Sequence, residues 1–513
     1  MPATSTPKPS TTPETVKIGR RISAYREAKG FTQADLAKKL GTSQSAVARM
    51  EKGEQNLSTN MLVNIGEILG AEIIGLPSNA LNFEIHGGRK LSGSVTTNTS
   101  KNSAVVMLCA ALLNRNTTVL KKMPRIEEVN RVLEVLESMG VRTRWEGSDL
   151  TITPPARLKI EAIDAKAAMR TRSVVLLLGP LVHLLKQFTL PQPGGCKLGA
   201  RTVRPHLYAL ENFGVSIEAH RNRYDVVARD LHAAEVVLYE SGDTVTENAL
   251  MAAARIEGVT TIKFASANYQ VQDLCVFLQK LGVTIEGVGT STLKVHGRSV
   301  IDAPVTYGIS EDPIESMLFI AAAVMTNSEI TIKRCPIDFL ELELLKLQKM
   351  GWRYDRSASY KAANGYTDLV DIVTHPSKLT ALAEPIHPDI YPGLNMDNLP
   401  FFVPIATQAK GQTLIHDWPY ENRAIYYMEL TKLGAELILA DPHRVYVNGL
   451  TKLSPAEIIC PPALRPAAII LIAMLAAPGT SILRNVYSIN RGYENLYTRL
   501  NSLGAEIEVL KEF

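Results

Sequence analysis

The run Pro193-Gly194-Gly195-Cys196-Lys197-Leu198-Gly199-Ala200-Arg201 sets three glycines and a proline around one cysteine. That composition predicts an exposed, mobile loop and not a core strand. Lys197 and Arg201 flank the sulfur, and cations there favour a thiolate or hold an anionic substrate beside it. Cys109, inside the apolar run AVVMLCAALL, reads by contrast as a packed core residue. A second set of chemically capable side chains lies near the start of the chain: Gln33, Gln44, Ser45 and Arg49. Their amide, hydroxyl and guanidinium groups suit the edges of bases and the phosphates of duplex DNA.

Those last four residues sit in a stretch with the layout of a helix-turn-helix. Thr32 is placed to cap a helix over Gln33–Leu40, Gly41 supplies the turn, and Thr42 or Ser43 caps a second helix over residues 44 to 51, ending before Gly53. Leu36, Ala37, Leu40, Val47 and Met50 fall at spacings that bury one side of each helix, which leaves Gln33, Gln44, Ser45 and Arg49 outward. A small helical bundle for protein contact is the alternative. One such domain reads a half-site weakly, so binding to an operator implies a dimer.

The chain has 513 residues, which predicts about three packing units of roughly 150 residues each. Hydrophobic residues at 46% and charged residues at 21% exclude a disordered, collagen-like or membrane-spanning chain as the main story. The longest apolar run, residues 467 to 477, is about half of the roughly 20 residues a spanning helix needs. No apolar secretory segment opens the chain. Cys109, Cys196, Cys275, Cys335 and Cys460 are odd in number, widely spaced and without a C-x-x-C pair. This argues against a disulfide framework or a metal site and for a reducing cytoplasm. Of the net charge of +4, residues 17 to 76 carry +3, from nine Lys/Arg against six Asp/Glu. The basic character belongs to the small N-terminal unit.

Residues 1 to 16, rich in Pro, Thr and Ser, read as a disordered tail, residues 17 to 76 as the helical unit and 77 to 82 as a linker. Beyond it one signature recurs six times: an amphipathic helix, a hydrophobic residue, Gly, then an alternating strand. The six are LESMGVRTRW, LENFGVSIEA, LQKLGVTIEG, LQKMGWRYDR, LTKLGAELIL and LNSLGAEIEV, with glycines at 140, 214, 282, 351, 434 and 504. Each glycine can take the left-handed cap that ends a helix. Six β-α-β units of about 70 residues predict a symmetric α/β body of two lobes with a substrate cleft between them, in preference to a solenoid, whose period is about 20 to 50 residues.

PGGC-x-x-G-x-R, together with Ser100-Lys101-Asn102, resembles the enolpyruvyl transferases, and within them those acting on UDP-N-acetylglucosamine. The residues from FTQADLAKKL to EKGEQNLS resemble the phage-repressor (XRE) type of helix-turn-helix. The first resemblance spans residues 83 to 513. It implies a two-lobed, inside-out α/β barrel of six repeats, with residues 83–100 and 310–513 forming one lobe and 101–309 the other. It also implies transfer of enolpyruvate from phosphoenolpyruvate to a sugar-nucleotide hydroxyl for peptidoglycan precursor synthesis, with neither metal nor organic cofactor. By the same resemblance Lys101, Asn102, Arg201, Arg465 and Arg491 contact phosphoenolpyruvate. Arg172, Arg201, His206, Asp312, Asp397, Pro419 and Arg423 face the UDP-sugar. Cys196 is the general acid at the methylene carbon and the site of fosfomycin alkylation, and Asp397 is the base for the acceptor hydroxyl, so that Cys196, Asp397, Lys101 and Arg491 form the catalytic set.

These residue types also make sense without a family. Phosphoenolpyruvate is a trianion, and expelling phosphate through a tetrahedral intermediate needs several guanidinium and ammonium groups. One carboxylate must take the hydroxyl proton and one acid must protonate the alkene carbon. Departures from the family pattern concern the acceptor. Thr202-Val203-Arg204-Pro205-His206 stands where the family has Pro-x-Asp-Leu-His, so an acid has become a base. Gly242-Asp243-Thr244 stands where it has Ser-Val-Gly, which loses a close-approach glycine and adds a negative charge near an expected diphosphate. Tyr391-Pro392-Gly393-Leu394-Asn395-Met396-Asp397 departs likewise from YPGFPTD. A synthase acting on shikimate 3-phosphate is disfavoured, because it lacks the loop cysteine. Three readings stay open: a peptidoglycan-precursor transferase with a DNA-binding module, a transferase for another nucleotide or sugar, and a transcription regulator whose transferase-like body senses a ligand.

Overall fold

Each of the six repeat glycines adopts the left-handed conformation that its signature requires. φ is 94° at Gly140, 85° at Gly214, 88° at Gly282, 97° at Gly351, 85° at Gly434 and 94° at Gly504. The helices they end are Glu127–Ser138, Arg204–Glu211, Tyr269–Lys280, Glu341–Lys349, Ala424–Leu433 and Leu496–Ser502. Five of these are α-helices; the fifth in order, Ala424–Leu433, is a long 3₁₀ run, a departure from the amphipathic α-helix expected there.

The computed structural model of the chain describes residues 13–55, 57, 59–69, 81–192, 194 and 202–511. They divide into two units between residues 80 and 81. The tail expected to lack structure is shorter than its composition implied, because a helix spans Pro13–Ala28. Proline suits a first helical turn, where its missing N–H has no partner to lose. The linker also ends early: residues 81 and 82 already belong to the strand Leu81–Gly87.

In the N-terminal unit, Pro13–Ala28, Gln33–Leu40, Gln44–Lys52 and Thr59–Leu69 pack around Ile22, Leu36, Val47, Met50 and Ile65. Thr32 and Asp35 form a reciprocal capping box, and Ser43 caps the next helix by accepting from the Ala46 amide. Gly41 and Gly53 close the two helices in the left-handed conformation. Gln44, Ser45 and Arg49 are exposed on the second of these helices. Gln33 departs from the outward reading. Its amide nitrogen donates to Glu51 Oε2 at 2.8 Å, and Glu51 is bound in turn by the buried Arg26 at 2.6 Å.

In the large unit the described strands form six small sheets around two separate hydrophobic cores. Three sheets come from residues 118 to 308 and three from residues 81 to 96 together with 331 to 511. The strand Leu81–Gly87 is sandwiched between Gly479–Arg484 and Ile507–Lys511, with Phe83 opposite Leu483 on one side and Val509 on the other, so the two ends of the unit close one sheet. The helices Lys101–Ala110, Pro313–Met325 and Leu464–Ala476 are buried almost all round, as apolar helices enclosed by sheets must be. The sheets lie outside them, the inside-out arrangement.

The chain passes between the cores twice, and the two crossings run side by side. Thr99 bridges Glu311, the Ser100 amide donates to Ser310 O at 2.8 Å, and the Asp312 amide donates to Asn98 O at 2.9 Å. A buried clamp holds this junction: Asp273 accepts from Tyr307 Oη at 2.5 Å, Asn364 Nδ2 at 3.0 Å and the Ser310 amide at 3.1 Å.

Candidate active site

Each crossing strand runs straight into a helix N-terminus. Ser100 caps Lys101–Ala110 by accepting from the Ser103 amide at 3.1 Å, and Asp312 caps Pro313–Met325 by accepting from the Ile314 amide at 2.8 Å. The sequence thereby brings Lys101, Asn102 and Asp312 to one place, beside two positive helix ends. Lys101 Nζ pairs with Glu128 Oε2 at 3.0 Å, and Ser173 Oγ donates to the other carboxylate oxygen at 2.9 Å. Burial pushes the Glu128 carboxyl up, but Lys101 and Arg491 overcome it, with hydrogen bonds from Lys101 and Ser173, and hold it at about 2. Arg491 therefore lies within electrostatic reach of Glu128, and its Nε is buried with no hydrogen-bond partner among the described residues. Asn102 Nδ2 donates to Tyr269 Oη at 2.9 Å.

The core containing the chain's last helices contributes Asp397, Arg423 and Arg465. Arg465, in the first turn of Leu464–Ala476, donates from Nη2 to Asp397 Oδ2 at 3.1 Å and from Nη1 to Tyr493 Oη at 2.5 Å. Burial would raise the Asp397 carboxyl, yet Arg465, Arg423 and Lys101 hold it below its ordinary value. Asp312 goes the other way. Its burial, reinforced by Glu315, outweighs the pull of Arg465 and raises it. Arg423, expected to face substrate, is instead 1% exposed. Its Nε and Nη2 bind Asp417 at 2.6 and 2.7 Å, it packs 3.9 Å over the Tyr420 ring, and Nη1 lies 3.8 Å from Asp397. Pro419 is half-buried in the turn just before that ring.

Past Asp397 a cleft opens between the cores, lined by Ser241, Asp243, Ser266 and Asn268 from one and by Glu343 and Asn395 from the other. Asp243 accepts from Ser266 Oγ at 2.6 Å and Asn268 Nδ2 at 2.9 Å, with no ion pair among the described residues. Burial raises its carboxyl, and Asp397 adds to the effect. One helical turn on, burial and then Asp243 push Glu247 up to about 8, with a hydrogen bond from Gln270 in partial opposition. Glu247 Oε2 and Gln270 Oε1 are both buried without a partner among the described residues, consistent with a carboxyl that keeps its proton.

Arg172 donates to Thr202 O at 3.3 Å and lies close enough to His206 to act on its ionisation. Burial, then Arg172, lowers His206 to about 3, so its ring is neutral and accepts at Nδ1 from Asn248 at 2.9 Å. Cys196 and Arg201 lie outside the described residues. Among the remaining predicted residues, Lys101, Asp312, Asp397 and Arg465 converge electrostatically, Arg491 adjoins them through Glu128, and Arg172 with His206 forms a separate group.

Sequence reasoning passed over Glu128, Asp417, Tyr269 and Tyr493. Glu128 had a local signal, as one of two acids in the first turn of a helix just after Pro124. The tyrosines had none, because their partners lie 167 and 28 residues away. Among the described residues no group of three or more His, Cys, Asp or Glu is arranged to hold a metal ion, and no helix is long and apolar enough to cross a membrane.

Residues 85–500 match the family described as EPSP synthase (3-phosphoshikimate 1-carboxyvinyltransferase), and residues 22–76 match a helix-turn-helix family. A UDP-N-acetylglucosamine 1-carboxyvinyltransferase of Bradyrhizobium diazoefficiens is 32% identical over 435 residues, covering 84% of this chain and 99% of the relative. That of Porphyromonas gingivalis is 32% identical over 438 residues, covering 83% and 99%. Among solved structures, the enolpyruvyl transferase NikO from Streptomyces tendae superposes with a TM-score of 0.72 at 26% identity, covering 85% of this chain and 100% of that one. An EPSP synthase from Acinetobacter baumannii shares the fold, with a TM-score of 0.66 at 17% identity over 84% and 100%.

Proposed function

Because the chain belongs to the EPSP synthase family of enolpyruvyl transferases, with a helix-turn-helix domain ahead of its transferase region, we propose that it moves enolpyruvate from phosphoenolpyruvate to a hydroxyl of a nucleotide-linked sugar. UDP-N-acetylglucosamine, the substrate in the names of the two relatives above, is the first acceptor to consider. The observation that carries the reading is the gathering of Lys101 and Arg465 about Asp397 and Asp312 where the cores meet, with Arg491 beside the Glu128 that pairs with Lys101.

Lys101, Arg201, Arg465 and Arg491 hold the carboxylate and phosphate of phosphoenolpyruvate. Glu128 positions the Lys101 ammonium, and Asn102 with Tyr269 supplies uncharged donors. Asp397, kept ionised by Arg465 and Arg423, takes the proton of the acceptor hydroxyl as its oxygen bonds to C2 of phosphoenolpyruvate. Cys196 delivers a proton to C3, which yields a tetrahedral intermediate. The Cys196 thiolate then takes back a proton from C3, which restores the double bond as the C2–O bond to phosphate breaks and releases inorganic phosphate and the enol ether. Arg423 acts through Asp397 as a positioning residue. Arg172, with His206 nearby, lies on the acceptor's side.

A second reading, transfer to a different nucleotide sugar, is favoured by the half-buried acid at Asp243, which has no ion pair among the described residues. The test is release of phosphate from phosphoenolpyruvate with UDP-N-acetylglucosamine, and Cys196→Ser as control. Release abolished by Cys196→Ser supports the reaction. Release with another nucleotide sugar alone would select the second reading, and the absence of release with every acceptor tried would leave a ligand sensor. For the N-terminal domain we propose DNA binding as a dimer through Gln44, Ser45 and Arg49. Arg49→Ala is expected to weaken binding to the upstream DNA and flatten the log–log salt dependence by about one unit if it meets a phosphate. No binding at low salt would reduce the domain to a protein-contact module.

A further inference from the structure

The point where the two crossings meet is gripped from both cores by residues that the reaction does not use. From one core, Lys122 follows the strand Thr118–Lys121 with φ at 51°. From the other, Arg334 sits in the strand Thr331–Pro336 with φ at 63°. Both are left-handed residues that carry a Cβ, a conformation that the surroundings must enforce. They are enforced alike. An aspartate of the antiparallel neighbouring strand accepts each amide, Asp149 Oδ1 from Lys122 at 3.1 Å and Asp371 Oδ1 from Arg334 at 2.9 Å. At Arg334 the register with that neighbour also slips by one residue, a bulge that re-aims the side chain.

The two turns hold the crossings in different ways. The Lys122 carbonyl accepts from Thr99 Oγ1 at 2.5 Å, on the first crossing. Arg334 reaches the second crossing, where its Nε and Nη2 donate to Glu311 Oε1 at 2.7 and 2.6 Å. Thr99 and Glu311 are themselves the bridged pair, so Lys122, Thr99, Glu311 and Arg334 form a chain of contacts from core to core. The Glu311 side chain is 3% exposed, and its Oε2 is buried with no partner among the described residues. Burial raises its carboxyl, and Arg334 is the chief group pulling against that, with Lys122 a lesser one. A carboxylate this deeply buried stays inside only while the guanidinium holds it.

Glu311 immediately precedes Asp312, and Thr99 stands two residues before Lys101. We propose that Arg334 is a positioning residue: by holding Glu311 it fixes the register of the two crossings, and with it the placement of Asp312 and Lys101 at the site. For its effect on turnover, this rests on the proposed enolpyruvyl transfer. Holding a trianion among several cations tolerates a small displacement, but proton transfer and bond formation do not, and a shift of about 1 Å can cost about 100-fold. The loss therefore falls on kcat and not on KM.

The test compares the full chain with three variants. Arg334→Asn tolerates the left-handed backbone but removes the guanidinium. Thr99→Val breaks the opposite grip, and Lys122→Asn removes only an exposed ammonium. Hydrogen exchange is read by mass spectrometry over residues 97–102 and 309–314 and over both cores, beside the kinetics of phosphate release. Arg334→Asn and Thr99→Val are each expected to speed exchange in those two segments by at least about 10-fold, with the cores unchanged. Each should lower kcat by about 10- to 100-fold with KM for phosphoenolpyruvate within about threefold. Lys122→Asn should leave exchange and kcat within about twofold of the parent. Unchanged exchange in Arg334→Asn, or exchange that quickens equally throughout the chain, would overturn the proposal. So would faster local exchange at unaltered kcat, or a KM that rises as far as kcat falls. A parent chain that releases no phosphate counts against the proposed reaction alone, and the exchange measurement still decides whether Arg334 fixes the crossings.

Discussion

Asp397 and Asp243 are half-buried carboxylates contributed by opposite cores, close enough for the charge on one to act on the other. Asp397 lies among Arg465, Arg423 and Lys101 and is held below its ordinary value. Among the described residues Asp243 has only neutral donors, Ser266 and Asn268, and is raised, and it raises Glu247 behind it. The contrast separates two tasks. Where a trianion must be held and a proton removed, cations keep the acid ionised. On the side proposed for the acceptor, the acids are left to uncharged partners, and burial with Asp243 raises Glu247 to about 8. The largest expected effect tests the first half. Asp397→Asn removes the base but not the fold, and phosphate release should fall by roughly 10²- to 10⁴-fold with phosphoenolpyruvate KM little changed. A fall below tenfold would mean that the cation cluster, and not the carboxylate, defines that side.

Arg423→Met probes the same half from behind. The arginine and Asp417 are both buried and bound twice over, so removing one leaves an uncompensated charge. Breaking such a pair costs about 3–5 kcal/mol, to be read from urea unfolding. Asp397 should also lose part of its downward shift, which would move the acidic limb of the pH–rate profile to higher pH. Loss of stability without that movement would make Arg423 a scaffold residue only.

The second half has its own signature in pH. Glu247 has an ordinary value of 4.5 and a folded value of about 8. Between those values the folded chain holds a proton that the unfolded chain has released, so stability falls as pH rises through the window. The slope is at most about 1.4 kcal/mol per pH unit. Glu128, held at about 2, acts oppositely: its contribution is present above about 4.5 and is lost as pH falls toward 2. Glu247→Gln keeps the protonated shape and gives Gln270 Oε1 a donor. Relative to the parent chain it should gain about 3 kcal/mol in urea unfolding between pH 5.5 and 7.5. A constant difference across that range would show that Glu247 is ionised and compensated.

This asymmetry was only partly legible in the sequence. Local signals carried well: the hydrophobic-Gly endings marked six helix termini, Thr32 and Ser43 cap where their spacing put them, and Ser100-Lys101-Asn102 opens a helix at the site. Each is decided within one turn of chain. The charge at Asp243 was legible too, but not its uncharged partners, Ser266 and Asn268. What stayed hidden were pairings across the fold. Gln33 looked outward by helical spacing, yet Glu51, eighteen residues on, takes its amide. Arg423 looked like a substrate cation because Asp417, buried only by tertiary packing, has no pattern of its own. Asp397 meets Arg465 across 68 residues, so its low ionisation follows from assembly and from no motif.

The smallest effect is the most discriminating. Asp243→Asn can keep both hydrogen bonds, with Oδ1 accepting from Asn268 and the Ser266 hydroxyl turning to accept from the new amide, so the change is almost purely one of charge. A negative charge within several ångströms of a diphosphate costs on the order of 1 kcal/mol in a partly hydrated cleft. The acceptor's KM should therefore drop several-fold at unchanged kcat. Asp243 also helps to raise Glu247, so Asp243→Asn should lower the Glu247 value and shallow the loss of stability with pH. Combined with Glu247→Gln, the two stability changes should add to less than their sum at pH 7.5. If the acceptor's KM rises instead, Asp243 is a ligand for the sugar's hydroxyls. The two sides of the cleft would then differ in what they bind, with cations on one side gripping phosphoenolpyruvate and carboxylates on the other gripping alcohols.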